Sequence, residues 1–285
     1  MRFAPIAIML ASTSIATAEV ARPYAHDPSW KSNAVWDDGR AEYAVYDATR
    51  PIYGVERTYE AVLITNAQHM DSETTTKAEN YRSDRAFPVF KHNLREVAPT
   101  ENYDYKYLTT VFVERDSLEP FKLSMSSQED CGATFKNFVV LERELIGDAF
   151  VYFPGDGHAS IGYTTPPDFQ FYDALTLTLR DFPFEEGPGA TQSFRLLPEQ
   201  TSTRATSMRP AEATVRYITR EPVETALGPI DSHCLRVEWA GGSTSEYWFA
   251  ADGGPEWLHI LVQYQGFDGH RLTLKSKRRW AYWER

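Results

Sequence analysis

Positive charge and cysteine are both scarce in this chain, and their scarcity removes several classes of protein. Across 285 residues, 29 lysines and arginines face 40 acids, for a net charge of −11. A surface this acidic argues against nucleic acid as a partner and against electrostatic docking on anionic lipid. The one basic cluster, Arg271–Arg279, alternates as a strand with a solvated cationic face would. The two cysteines, Cys131 and Cys234, form no Cys-x-x-Cys motif, and the scattered histidines form neither His-x-His nor His-Glu-x-x-His. No zinc site is supported, and no metal or cofactor is expected. There is no Gly-x-Ser-x-Gly elbow for a serine nucleophile and no glycine-rich loop leading into a helix to cradle phosphate. No internal repeat is present. No apolar run reaches the roughly 20 residues that a membrane-spanning helix needs.

What the N-terminus does hold is a three-part leader. Met1-Arg2 begins it with positive charge, Phe3–Ala16 is apolar, and Ala16-Thr17-Ala18 sets small residues around a cleavage point before Glu19. Residues 1–18 are expected to be a signal peptide removed near Ala18. That leaves a periplasmic or secreted chain with no transmembrane segment, and no cysteine adjoins the cut to carry a lipid. In an oxidising compartment Cys131 and Cys234 are expected to form a disulfide. Closing a loop of about 100 residues could add up to ~4–5 kcal/mol in the chain-entropy account. Two buried free thiols are the alternative, and a catalytic thiol a third.

The remaining chain reads as strands. Residues 19–38 form an extended lead-in, with Trp30 and Trp36 tacking it to the body. Ala41–Asp47, Tyr59–Asn66, Tyr105–Val113, Phe121–Ser127, Phe135–Leu141, Asp148–Phe153, Ala213–Arg220 and Arg271–Trp283 alternate or run in β-branched and aromatic residues. Cys234–Tyr264 predicts three consecutive strands around glycine turns. Five of the seven tryptophans lie between Trp239 and Trp283, so the largest apolar surfaces gather there. Residues 68–86 are a polar loop or flap, and a polar linker runs to Pro210. Phe169–Phe182 stays open: Leu175, Leu177 and Leu179 alternate as a strand, while Asp173 offers an N-cap for a short helix. The expected fold is mainly β, a large antiparallel curved sheet (open barrel or two-sheet clam) with few short helices. Residues 39–183 form an N-terminal β region and 184–285 a C-terminal one, packed as one unit.

Among polar stretches Lys122–Phe135 is the most distinctive. Lys122, Ser124, Ser126 and Gln128 fall on one face of a strand, followed by Glu129, Cys131 and Gly132. That face either lines a wet groove or is the solvent side of an edge strand. Asp-Gly-His occurs at Asp156–His158 and Asp268–His270, and both read as turns.

Several of these residues resemble a known family. Tyr103-Asp104-Tyr105, Thr110-Val111-Phe112 and Lys122…Ser126-Ser127-Gln128-Glu129-Asp130-Cys131-Gly132 look like the signature of exported bacterial proteins often labelled septum formation inhibitor Maf. Arg50…Tyr53-Gly54, Glu60–Ile64 and Lys77-Ala78-Glu79-Asn80 fit the same pattern. Where this chain has Asp130 that family usually carries Trp. The label properly belongs to cytosolic α/β nucleotide pyrophosphatases, whereas this chain has a leader and β patterning. Asp173-Ala174-Leu175…Leu179-Arg180…Phe184, then Tyr217…Arg220-Glu221-Pro222-Val223 and Tyr247-Trp248-Phe249, are similar to a second exported family of unknown function. The resemblance implies an exported β protein and brings no catalytic residue.

Export and the aromatic strands together point to a non-catalytic cell-envelope protein. It would bind an apolar or amphipathic ligand, a lipid or a partner's segment, on a curved aromatic sheet. Lys122, Ser124, Ser126, Gln128, Glu129, Trp239, Tyr247 and Trp248 are the candidate contacts. The alternative is a periplasmic hydrolase of glycans or esters, with acids among Glu129, Asp130 and Glu246 and aromatic rings stacking on sugars.

Overall fold

A computed structural model describes residues 28–254 and 256–284; the expected signal peptide lies outside the described residues. Among these, fifteen strands make one sheet. They are β1 (Ala41–Ile52), β2 (Val55–Asp71), β3 (Ala86–Pro99), β4 (Asp104–Glu114), β5 (Pro120–Glu129), β6 (Gly132–Leu141), β7 (Glu144–Val151) and β8 (Gly157–Thr164) in the first half. The second half supplies β9 (Phe169–Phe171), β10 (Thr191–Leu197), β11 (Ala211–Thr225), β12 (Gly228–Trp239), β13 (Thr244–Ala250), β14 (Leu261–Gln265) and β15 (Arg271–Trp280). Strands β1 to β8 meander to one edge and β15 back to β9 to the other, joined where β1 pairs with β15. All neighbours are antiparallel except β9 and β10. The sheet is mainly β architecture as the alternation predicts, curved but not closed into a barrel.

The alternation works because each strand keeps one dry face. Leu123 and Met125 on β5, Val215 on β11, Leu235 and Val237 on β12, and Tyr247 and Phe249 on β13 all enter a single buried cluster on the concave side. The hairpin between β1 and β2 turns at Tyr53-Gly54, both at positive φ (54° and 74°). That geometry matches the right-handed twist of the strands it joins. It also places a bulky residue in the left-handed region, where glycine is the easier occupant.

The concave side is filled by the chain itself. Phe169–Phe182 proves to be the three-residue strand β9 followed by one helical turn, α1 (Leu175–Thr178), flanked by tighter 3₁₀ turns. Its leucine alternation misleads because Leu175, Leu177, Thr178, Leu179, Arg180 and Asp181 are all buried. A segment enclosed on every side has no polar face to set a period. Asp173 is not an N-cap; it accepts from Gln200 N (2.9 Å) and Thr201 Oγ1 (2.7 Å). The linker after β10 also turns inward. Lys136 of β6 donates to Gln200 O (2.9 Å) and Thr134 to Thr203 O (2.7 Å).

Two ion pairs seat the helical plug, one against β1 and one against the lead-in. Arg180 reaches both oxygens of Glu42 (2.9 and 3.1 Å) and Leu258 O (2.7 Å), and lies over Trp30 and Trp36. Asp181 takes Lys31 Nζ at 2.8 Å and Trp30 Nε1 at 3.2 Å. Trp30 and Trp36 are buried against Phe90, so the lead-in is tacked to the body as expected, but its described part is two short helical turns, Pro28–Ser32 and Ala34–Asp37, and not an extended segment. Removing one partner of such a pair leaves a buried charge uncompensated. Glu42→Ala should therefore lower stability to urea by about 3–5 kcal/mol; a loss below about 1 kcal/mol would show Arg180 finding water instead.

Candidate functional site

Hairpin turns gather at one end of the curled sheet, and between them lies a cleft of about 640 Å³. The end of β1 supplies Arg50 and Ile52, its turn supplies Tyr53, and β4 supplies Tyr105 and Tyr107. Phe153 follows β7, Phe267 and Asp268 come from the turn before β15, and residues 198–207 form the remaining wall.

Alternation on β4 aims its tyrosines one way. The rings of Tyr105 and Tyr107 stack at 6.2 Å, Tyr103 lies 5.7 Å from Tyr105, and Tyr53 meets Tyr105 edge-on at 5.9 Å with their hydroxyls bonded. Offset and edge-on pairs suit the ring quadrupoles. The result is a ladder of four rings running from the exposed Tyr53 to the buried Tyr107. On the opposite lip Arg204 covers Phe153 at 5.4 Å and binds Asp156.

The floor is ionic. Arg50 sits 4.9 Å from the Tyr107 ring centroid and donates to Glu96 (3.2 Å), Glu199 (3.1 Å) and Thr201 O (3.0 Å). Glu96 also accepts from Tyr59 at 2.5 Å and has His270 Nε2 at 2.9 Å. Burial alone would raise the Glu96 carboxyl. The Arg50 and His270 charges and the hydrogen bonds overcome that and hold it at about 2. Glu199 goes the other way. Burial, with Asp268, Asp173 and Glu96 nearby, pushes it up to about 8 despite Arg50. Two carboxylates on one guanidinium are thus driven apart, one ionised and one holding a proton near neutrality. Lys136, fully buried behind the same wall, is drawn down to about 8 by burial.

The structure splits the residues expected from sequence. Lys122, Ser124, Ser126 and Gln128 do share a face, but it is the outer one, away from the cleft. Glu129 points to the concave side, one strand from the ladder. Neither of its carboxylate oxygens has a hydrogen-bond partner among the described residues, and burial raises it. Asp130 is exposed at the β5–β6 turn, and Glu246 pairs with Arg236 at 2.7 Å on the outer face, so the three acids do not converge. Tyr247 is sealed in the core beneath Tyr172, Trp239 packs on Tyr172, and Trp248 bonds Glu221.

The expected disulfide is not formed. Cys131 lies exposed at the β5–β6 turn, 3.0 Å from Tyr103 Oη, and Cys234 is buried on β12, far across the sheet order. A disulfide needs Cα atoms within about 7 Å. Both thiols are free, and burial pushes Cys234 up to about 12. The polar strand is therefore not stapled to the aromatic one.

Sequence reasoning missed Arg50, Glu96, Glu199 and His270. The one legible signal was Tyr103-x-Tyr105-x-Tyr107, whose period of 2 puts three rings on one face. His270 was read as a turn residue, yet it faces Glu96 in the interior. Among the described residues no cluster of His, Cys, Asp or Glu is placed to hold a metal ion. No helix among the described residues is long and apolar enough to cross a membrane. Comparison with protein-family models, curated proteins and solved structures found no match.

The Glu199 carboxyl is raised above its ordinary 4.5, so between about 4.5 and about 8 the folded chain holds a proton that the unfolded chain releases. This group's contribution is present at low pH and lost as pH rises through that window. Glu199→Gln should flatten the decline in urea stability between pH 5 and pH 8, by on the order of a few kcal/mol. An unchanged slope would place the proton elsewhere.

Proposed function

We propose that this chain is an exported cell-envelope binding protein that takes an amphipathic ligand in the tyrosine-lined cleft. The observation that carries the reading is a cleft of about 640 Å³ with aromatic walls and a few convergent polar groups on its floor. Small-molecule sites have this size and this division of labour. The concave aromatic strands around Tyr247 are occupied by the helical plug, so the ligand's seat moves from those strands to the end of the sheet. Rings or a short chain would lie along Tyr53, Tyr105, Tyr107 and Phe267. The polar end would meet Glu199 and Asp268. Arg50 is already shared among three acceptors. A neutral hydrogen-bonding head therefore suits the floor better than a second strong anion.

Tyr53 offers a clean test because its backbone is in a conformation that asparagine tolerates. Tyr53→Asn should leave the thermal midpoint within a few degrees and reduce ligand retention, followed by native mass spectrometry of protein purified from its producing cells. Recovery of wild-type protein with no bound small molecule, in gentle detergent-free buffer, would sink the reading.

One observation keeps hydrolysis of glycans or esters in play. Glu199 holds its proton near neutral pH beside Asp268, the other carboxylate that lines the cleft. A protonated carboxyl with a second carboxyl in the same cleft is the pair that glycosidase chemistry uses. If the chain cleaves chromogenic glycosides or esters, Glu199→Gln should lower turnover at least a hundredfold; a smaller effect would remove Glu199 as the acid.

A further inference from the structure

The outer face of β3–β6 carries charges of a different kind. Lys91, Phe112 and Lys122 stand opposite one another on β3, β4 and β5. Their Cα atoms are about 5 Å apart from strand to strand, so the two lysines stand roughly 10 Å from each other on either side of Phe112. The next row across the same strands is Asn93, Thr110, Ser124 and Asn137, all amides and hydroxyls. Above them arches the flap of residues 72–85. Asp71 folds it, accepting from Glu73 N (2.9 Å) and Thr74 N (3.0 Å), and Lys122 Nζ clasps it through Thr75 O at 2.9 Å. The flap brings Lys77 to the same place. Lys77, Lys91, Lys122, Phe112, Ser124 and Asn137 all line one basin of about 340 Å³.

Most cations with little exposure are elsewhere matched to carboxylates, Lys31 to Asp181, Arg50 to Glu96, Arg180 to Glu42 and Arg279 to Asp38, while fully buried Lys136 donates to Gln200 O and Thr206 Oγ1 instead. The half-buried lysines of the basin have no such match. No described carboxylate lies within ion-pair distance of Lys91 or Lys122, and both are held below the usual lysine range. Burial is the cause in each, and for Lys91 the charge of Lys77 adds to it. Asn93 Oδ1, buried in the adjoining row, has no partner among the described residues. In a chain with 40 acids, three ammonium groups around one basin and no acid among them leave a site short of negative charge.

We propose that this basin binds a tetrahedral oxyanion, a phosphate group carried by a soluble ester or by a lipid headgroup. Lys77, Lys91 and Lys122 form its cationic walls, and Ser124 and Asn137 supply neutral donors. Lysine ammonium groups are compact point charges that surround such an anion from several sides, whereas a planar carboxylate is better met by the fork of arginine. A phosphate monoester brings about −1.5 to −2 charges at pH 7, enough to answer the three lysines. The negative surface beyond the basin gives no long-range steering, so recognition rests on these short contacts. The polar strand face singled out by Lys122, Ser124 and Ser126 then has a use separate from the cleft.

The test is titration of inorganic phosphate and glycerol phosphate into the purified protein, followed by lysine side-chain NMR and calorimetry. Flotation with phosphatidylcholine vesicles, with and without phosphatidic acid, runs alongside. Saturable binding that weakens with added salt is expected. Lys91→Met, which keeps the stem, should lower affinity at least tenfold at unchanged melting temperature, Lys91→Arg should restore part of it, and Lys275→Met should have no effect. Flotation only with phosphatidic acid would assign the headgroup as the source; binding of the soluble phosphates alone would assign a free ester. Equal affinity of wild type and Lys91→Met, or no binding of either soluble phosphate or phosphatidic acid vesicles, overturns the proposal.

Discussion

The buried Arg50 guanidinium is the charge on which the loop end of the molecule depends. It sits near the end of β1, where the first hairpin is about to turn. Glu96 on β3 and Glu199 after β10 must both come to it, together with the Thr201 carbonyl. Those three contacts join strands from the first half of the sheet to a loop from the second. Through Thr201 they reach Asp173 and so the helical plug. Through Glu96 they reach His270 and the β14–β15 turn. The tyrosine ladder rests on this floor, since Tyr107 faces Arg50 directly. A cleft with a charged, satisfied base is stiff, because each group has partners that fix its position.

The strands were legible because each buries one side. Ala41–Asp47, Tyr105–Val113 and Ala213–Arg220 show their inward residues at every second position, and the structure pairs them accordingly. What fills the concavity was not legible. Leu175–Thr178 lies enclosed on all sides, so neither a period of 2 nor one of 3.6 marks it. Residues 198–210 look like a solvated linker because they are polar. In the fold their polar groups are spent on buried partners, Lys136, Thr109 and Asp173. Polarity reported the need for hydrogen bonds and said nothing about who would supply them.

The candidate site divides along the same line. Alternation correctly put Lys122, Ser124, Ser126 and Gln128 on one face, yet it carries no sign for inside and outside. Glu129 breaks the pattern by one residue and so falls inward, toward the ladder. The charge network of Arg50, Glu96, Glu199 and His270 is built from residues whose nearest bonded pair, Arg50 and Glu96, is already 46 positions apart, and no local spacing encodes such a meeting. The cysteine expectation failed for the same reason: compartment and count suggest a bond, but only the sheet order sets the distance between Cys131 and Cys234.

The joining of β1 to β15 has a consequence for how the chain acquires this shape. Every other antiparallel neighbour is consecutive in the chain, joined by a turn or by a loop such as 72–85 or 198–210, so most ladders can form as soon as their two strands exist. The β1–β15 ladder spans nearly the whole chain, from Ala41–Trp280 to Thr49–Arg271. Contacts of such sequence separation close slowly, because the loop between them must first be ordered. A chain emerging N-terminus first therefore carries β1 with one bare hydrogen-bonding edge until its last strand arrives. That edge is apolar on its concave side, the kind of surface that recruits stray strands. Successful folding of this protein is thus timed by its C-terminus.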